Sequence, residues 1–375
     1  MNHQKNRLFK KIIFFSAVII IFCILIAVFY QKRTFSIEIS EDDDAMWKYE
    51  YGQVSFFVDT IRQGGFPLWN PYKLCGIPFF EVPFMGPYYP AVVLYFLFPL
   101  EKAFNYGFLI HILLAGIFML LLSRELGFNY LTSVFCSLSW IFSSIFLKIS
   151  AIGFLPAIIS TTYLTGLVYL FIKITKSLEH IRTMLYALTA ALFFAFVITT
   201  GRPQFNGVIL FSFLLFTLPS LKKTSIVLSV LFITGFGLLL SIVQWGPVLV
   251  AINSSFYKPE PIDPDDVYKL KDLIHFVFPS HEFKITGFIG RIALFLGIAG
   301  FFLKRPFAHN LRLVSCVSLL GMLGSYPPVS KILPLIPILN KEHCLRIWHT
   351  ELAFSLIIFS GMMLTKISAG LHQKK

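Results

Sequence analysis

Residues 12–30 read IIFFSAVIIIFCILIAVFY, an uncharged apolar run bounded by Lys10 and Lys11 before it and by Lys32 and Arg33 after it. As a helix rising about 1.5 Å per residue, such a run crosses a hydrocarbon layer about 30 Å thick. A secretory signal competes for the same stretch. The run is long for a signal, and bulky Phe29 and Tyr30 stand where a cleavage site needs small residues, so it is read as an uncleaved first span.

The rest of the chain agrees with that reading. Of 375 residues, 56% are apolar and 14% charged, against about 25% charged in an ordinary globular domain. Mean hydropathy is +0.75. These values exclude a disordered chain, a collagen and a soluble domain, and five cysteines are too few for a disulfide scaffold. The expected fold is an all-α polytopic membrane domain over 1–375. Further spans are expected at 103–122, 130–147, 151–172, 183–200, 205–221, 224–252, 288–303, 311–326 and 351–367, about ten in all. The 86–100 segment is short and bracketed by prolines, which suits an interfacial or re-entrant helix. Two large loops follow from these boundaries, 31–102 and 253–287, together with a shorter proline-broken segment at 327–350.

Charge tests the alternation. One set of loops and ends collects 16 of the 32 Lys and Arg residues, opposed only by Glu125 and Glu179, while the other 17 carboxylates fall on the opposite side. Cytoplasmic loops concentrate Lys and Arg, so both termini are expected in the cytoplasm and the long loops outside. The net charge of +13 is therefore a topological signal, with no bearing on nucleic acid.

The first outer loop opens on Glu41, Asp42, Asp43 and Asp44. Adjacent carboxylates raise one another's pKa unless a cation is near, so the cluster suits a general base or a divalent cation. It equally suits a solvated cap for a helix starting near Ala45. Downstream runs GGFPLWNPYKLCGIPFF (64–80), in which prolines stiffen the backbone and Trp69 and Tyr72 suit the headgroup boundary.

That run resembles a signature of the YfhO family of bacterial membrane proteins, at Pro67, Leu68, Trp69, Asn70, Pro71, Tyr72, Gly76 and Pro78. GRPQ (201–204), QWGP (244–247), FPS (278–280) with FIG (288–290), and LNKEHCLRIWHTELAF (339–354) resemble later family landmarks in the same order. Arg202 replaces a histidine, and Trp348 stands where a proline is usual. The chain is also much shorter than the relatives brought to mind.

The resemblance implies a GT-C type glycosyltransferase in the bacterial cytoplasmic membrane. Such an enzyme moves a sugar from a polyprenyl-phosphate donor to an extracytoplasmic acceptor: a cell-surface polysaccharide, a teichoic acid or a lipid. It implies Asp43 or Asp44 as the catalytic carboxylate, with Asp42 as a third candidate. Arg202 and Arg346, at outer span ends, suit the donor phosphate as readily as they suit snorkelling. Gln204, Gln244, Trp69, Asn70, Tyr72 and His343 complete the expected substrate contacts. Gln244 and mid-span His111 also suit helix packing. Glu342, His343 and His349 match no strong zinc spacing, so no metal ligand set is assigned, although the acidic cluster leaves a divalent cation open. Walker, nucleophile-elbow and CxxC motifs are absent from the sequence.

Two alternatives stand beside the enzyme. A transporter or flippase for lipid-linked saccharides would need ionisable groups at the bilayer midplane of discontinuous helices. A truncated, inactive relative would act as an assembly partner.

Overall fold

A computed structural model of the chain describes residues 2–31, 45–73, 75–81, 88–151, 153–254, 270–278, 288–323 and 348–372. Helix α1 spans Asn2–Phe29, and α2 (Ala45–Arg62) starts where the sequence places a helix after the acidic cluster. Two-residue strands follow, β1 (Trp69–Asn70) and β2 (Ile77–Pro78), paired antiparallel with Trp69 opposite Pro78. A 3-10 turn at Phe79–Glu81 and the short helix α3 (Val92–Leu97) complete the first loop's described part. The expected interfacial helix is α3.

The bundle proper begins with α4 (Leu100–Glu125). Then come α5 (Tyr130–Ile141), α6 (Ser144–Ala151), α7 (Leu155–Lys176), α8 (His180–Thr199) and α9 (Pro203–Thr217). After them lie α10 (Thr224–Leu240), α11 (Ile242–Ser254), α12 (Arg291–Phe301), α13 (Ala308–Met322) and α14 (His349–His372). Local chemistry sets several starts. Asn129 Oδ1 accepts the Thr132 amide at 2.8 Å, capping α5, while Pro156 and Pro203 occupy first-turn positions of α7 and α9, where no amide hydrogen is needed.

This is an all-helical, multi-pass membrane protein. Five segments are long and apolar enough to cross a bilayer: α4, the α5–α6 stretch 130–151, α7, α8 and α14. The expected single span at 224–252 is instead two helices bent by 67° around Ser241, and counts as a sixth only if the bent pair is one span. Ser241 Oγ donates back to the carbonyls of Gly237 (2.9 Å) and Leu238 (3.1 Å), and Pro247 removes a ladder donor one turn further on. Ile13–Phe29, Phe205–Ser220 and α12 are shorter apolar helices. At 11 residues, α12 reaches about 17 Å, roughly half the hydrocarbon thickness.

At the centre, α7 is almost wholly enclosed, packed by α4, α8 and α9. Its Ser160, Thr161, Thr162 and Thr165 are buried. Small hydroxyl residues allow the close helix approach that drives packing where lipid removes the hydrophobic incentive. Large apolar side chains instead line the outside, among them Ile20, Ile24 and Val28 of α1 and Ile181, Leu185 and Leu188 of α8. Exposed surface of that kind belongs against hydrocarbon.

The two ends of the bundle differ in charge, as the alternation of loops requires. Glu125, Lys173 and Lys176 meet at one end, where Asn129 also reaches Ser368 at 3.3 Å. Glu50, Arg202, Tyr51 and Glu101 meet at the other. One carboxylate departs from the sequence reading: Glu351, counted with the outer loops, is completely buried in the first turn of α14. Sequence boundaries place a residue at a span's end without saying whether its neighbours cover it.

Candidate functional site

Helix α2 buries Glu50, Gln53, Val54, Phe57 and Val58, a stripe at helical spacing whose first two members are polar. The apolar part packs on the loop that follows, with Phe57 stacked on Phe79 at 6.1 Å and Phe56 edge-on to Tyr72 at 6.0 Å. The polar part meets the same loop. Asn70 Nδ2 donates to Gln53 Oε1 at 3.2 Å, and Asn70 Oδ1 accepts the Tyr72 amide at 3.0 Å, closing a turn around Pro71. Gly76 adopts φ +111°, and a Cβ there would lie 2.6 Å from the Trp69 ring, so the β1–β2 turn needs a glycine under the indole.

The motif that carries the family resemblance thus has a local physical meaning. Asn70, expected to bind substrate, is turned inward and clamps the loop to α2. Trp69 and Tyr72 remain 54% and 86% exposed and are free to meet a lipid or a sugar.

Arg202 enters from the junction of α8 and α9. Asn206 Oδ1 accepts from Ser160 Oγ at 2.8 Å and from Thr200 Oγ1 at 2.9 Å, tying that junction to central α7. From this anchored turn, Arg202 Nη2 pairs with Glu50 Oε1 at 2.5 Å, with side chains 21% and 3% exposed. Its guanidinium carbon lies 5.4 Å from the centre of the Phe154 ring. Lys73 approaches the same pair: burial, and then the Arg202 charge, lower its pKa to about 8. Nearby, Tyr51 donates to Glu101 at 2.6 Å, and burial followed by that bond pushes the phenol up to about 12.

The result is a partly enclosed cluster of two cations and one carboxylate, set under the loop that begins with the aspartates. One positive charge exceeds what Glu50 neutralises. Arginine's fork and a neighbouring ammonium are the donors a phosphate group uses. Glu50 and Lys73 escaped the sequence reading, although a glutamate on an otherwise apolar helical stripe marks a buried carboxylate.

Lys73 makes the cluster pH-sensitive in a defined direction. Its folded-state pKa lies below the ordinary 10.5, so the unfolded chain holds the extra proton between about pH 8 and 10.5, and stability rises with pH across that window. Unfolding midpoints of wild type and Lys73→Met are expected to diverge in slope over that range, with the variant flat. Parallel curves would place the lysine in open water.

Gln244 sits just beyond the α10–α11 bend, with α11 against the Phe79–Glu81 turn and α8. It is buried, and among the described residues its Oε1 has no hydrogen-bond partner. His111 takes the structural role: Nδ1 meets the Gly107 carbonyl at 2.6 Å, and Nε2 meets the Tyr89 hydroxyl. Asp42, Asp43, Asp44, His343 and Arg346 lie outside the described residues, as does the side chain of Gln204. So does most of the 253–287 loop. Among the described residues, no three of His, Cys, Asp and Glu gather as a metal site.

Fold and charge define the class as a multi-pass helical membrane protein with a cationic cluster at one membrane face. Neither protein-family models nor curated proteins match the sequence.

Proposed function

We propose that the chain is a GT-C type glycosyltransferase related to the YfhO family, with about ten spans and both termini in the cytoplasm. It would take a sugar from a polyprenyl-phosphate donor at the outer face of a bacterial cytoplasmic membrane and pass it to a cell-surface glycan, teichoic acid or lipid. One observation supports this reading above the others: Arg202 and Lys73 converge on Glu50 beneath the loop whose sequence carries the family-like motif.

In the reaction, the acceptor hydroxyl loses its proton to Asp43 or Asp44 as its oxygen bonds the anomeric carbon. The bond from that carbon to the phosphate oxygen breaks, and the electron pair leaves with the lipid phosphate. Negative charge grows on that phosphate, and the cation pair stabilises it there. Arg346 would add a third donor. Trp69 and Tyr72 suit the sugar faces and the lipid boundary. A divalent cation bound by the aspartates would assist the phosphate.

Asp43→Asn with Asp44→Asn is expected to cut transfer by about a hundredfold or more while the protein still accumulates in the membrane. Transfer from a polyprenyl-phosphate sugar in detergent micelles measures this. Transfer at the wild-type rate in the double variant ends the carboxylate mechanism.

The second reading, a flippase for lipid-linked saccharides, draws on the bent α10–α11 pair with buried Gln244 and on buried Glu351, which are discontinuous-helix and intramembrane-carboxylate features. Micelles have no two compartments. A transferase turns over in them and a flippase does not, and mass spectrometry of lipid-linked sugars in cells lacking the protein identifies the sugar either way.

A further inference from the structure

At the basic end of the bundle a cavity of about 310 Å³ opens between the last turns of α4 and α7 and the first turn of α8, lined by Glu125, Lys173, Lys176, Glu179, Arg182 and Tyr186. Lys173 and Lys176 share one carboxylate, with Nζ atoms 2.8 Å and 3.2 Å from the two oxygens of Glu125. Arg182 Nε pairs with Glu179 at 2.8 Å. Three cations against two carboxylates leave one positive charge in excess at the cavity. Glu179 engages only Nε of Arg182, whose side chain is 65% exposed, so its Nη groups point to a further acceptor.

The cavity also adjoins hydrocarbon-facing surface. Leu178, within its lining, is fully exposed, and from it Ile181, Leu185, Leu188 and Leu192 run up one face of α8, all exposed. Tyr186, an amphipathic ring, stands at the boundary between charge and apolar stripe. Along α8, Arg182 and Arg202 are 20 residues apart, about 30 Å by helical rise, so this cavity is separate from the Glu50–Arg202 cluster.

We infer that this cavity binds the phosphodiester headgroup of one anionic membrane lipid, with Arg182 and Lys176 on the phosphate and the acyl chains along the Ile181–Leu192 stripe. A phosphate's charge matches the excess cation, and the stripe explains why a lipid, in preference to a soluble phosphate, fills the site. The inference stands apart from the transferase reading and does not depend on it.

Native mass spectrometry of the delipidated full-length chain, titrated with phosphatidylglycerol or with phosphatidylcholine, provides the test. One phosphatidylglycerol is expected to be retained ahead of phosphatidylcholine. Arg182→Gln with Lys176→Gln should weaken that retention about tenfold, the loss of roughly one charge-assisted contact. Lys222→Gln with Lys223→Gln, at the same end but outside the cavity, is expected to leave it unchanged. Since Arg182 is mostly exposed, Arg182→Gln alone retains the fold and should show part of the loss. Equal retention of both lipids, or undiminished phosphatidylglycerol binding in the cavity variants, overturns the site. Displacement of the lipid by an equal concentration of inorganic phosphate overturns the lipid assignment in favour of a soluble anion.

Discussion

Arg202→Ala is expected to cost about 3–5 kcal/mol, because it leaves the Glu50 carboxylate almost fully enclosed without its guanidinium partner. The asymmetry of buried pairs sharpens the test. Removing one member strands a charge, whereas removing both can be nearly neutral, so Arg202→Ala combined with Glu50→Ala should recover much of the loss. Thermal unfolding of purified protein in detergent checks both. If the single variant melts with wild type, or the double variant melts lower than either single one, the pair is not the buried contact described. Arg202→Lys is the informative intermediate: it keeps the charge and loses the fork, so it should retain more stability than alanine while handling a phosphate poorly.

The second large effect concerns helix packing. Gly297 and Gly300 of α12 face the α14 backbone so closely that a Cβ at Gly297 would sit 2.5 Å from the Leu356 carbonyl oxygen, and one at Gly300 would overlap the Phe359 carbonyl. The obstruction is main chain, which cannot rotate away as a side chain can. Gly300→Val must push α12 off α14, at an expected cost of about 3 kcal/mol or more. Gly235→Ala on α10 is the control, since nothing lies within 4 Å of its added methyl. It should leave the midpoint unchanged or raise it slightly. Equal tolerance of both substitutions would mean that α12 and α14 are further apart than described.

Both effects turn on features that sequence conveys unevenly. The glycine pair in RIALFLGIAGF is readable as a small-residue face, but the partner helix is not named by it. Arg202 was visible as a cation at a span end, with phosphate binding and snorkelling both open to it. Its actual neighbour, Glu50, lies 152 positions away on a helix whose amphipathic stripe is interrupted by polar groups. In GGFPLWNPYKLCGIPFF the reverse happened. Residues expected to face substrate split into two kinds, with Asn70 spent on holding the loop and Trp69 and Tyr72 left outside. That division depends on which side of a two-residue strand each occupies, a distinction no composition encodes.

By itself the sequence determined the solvent of this protein. Long uncharged runs must satisfy every backbone polar group internally, so helices in lipid follow, and the uneven placement of Lys and Arg orders their ends. Tertiary structure alone decided which charges meet: Glu50 with Arg202 and Lys73, Glu351 in the interior, and the bend at Ser241 inside what reads as one continuous span. The reason is range. Hydrophobic partition acts on each segment alone, whereas an ion pair or a close helix crossing exists only once distant segments have packed.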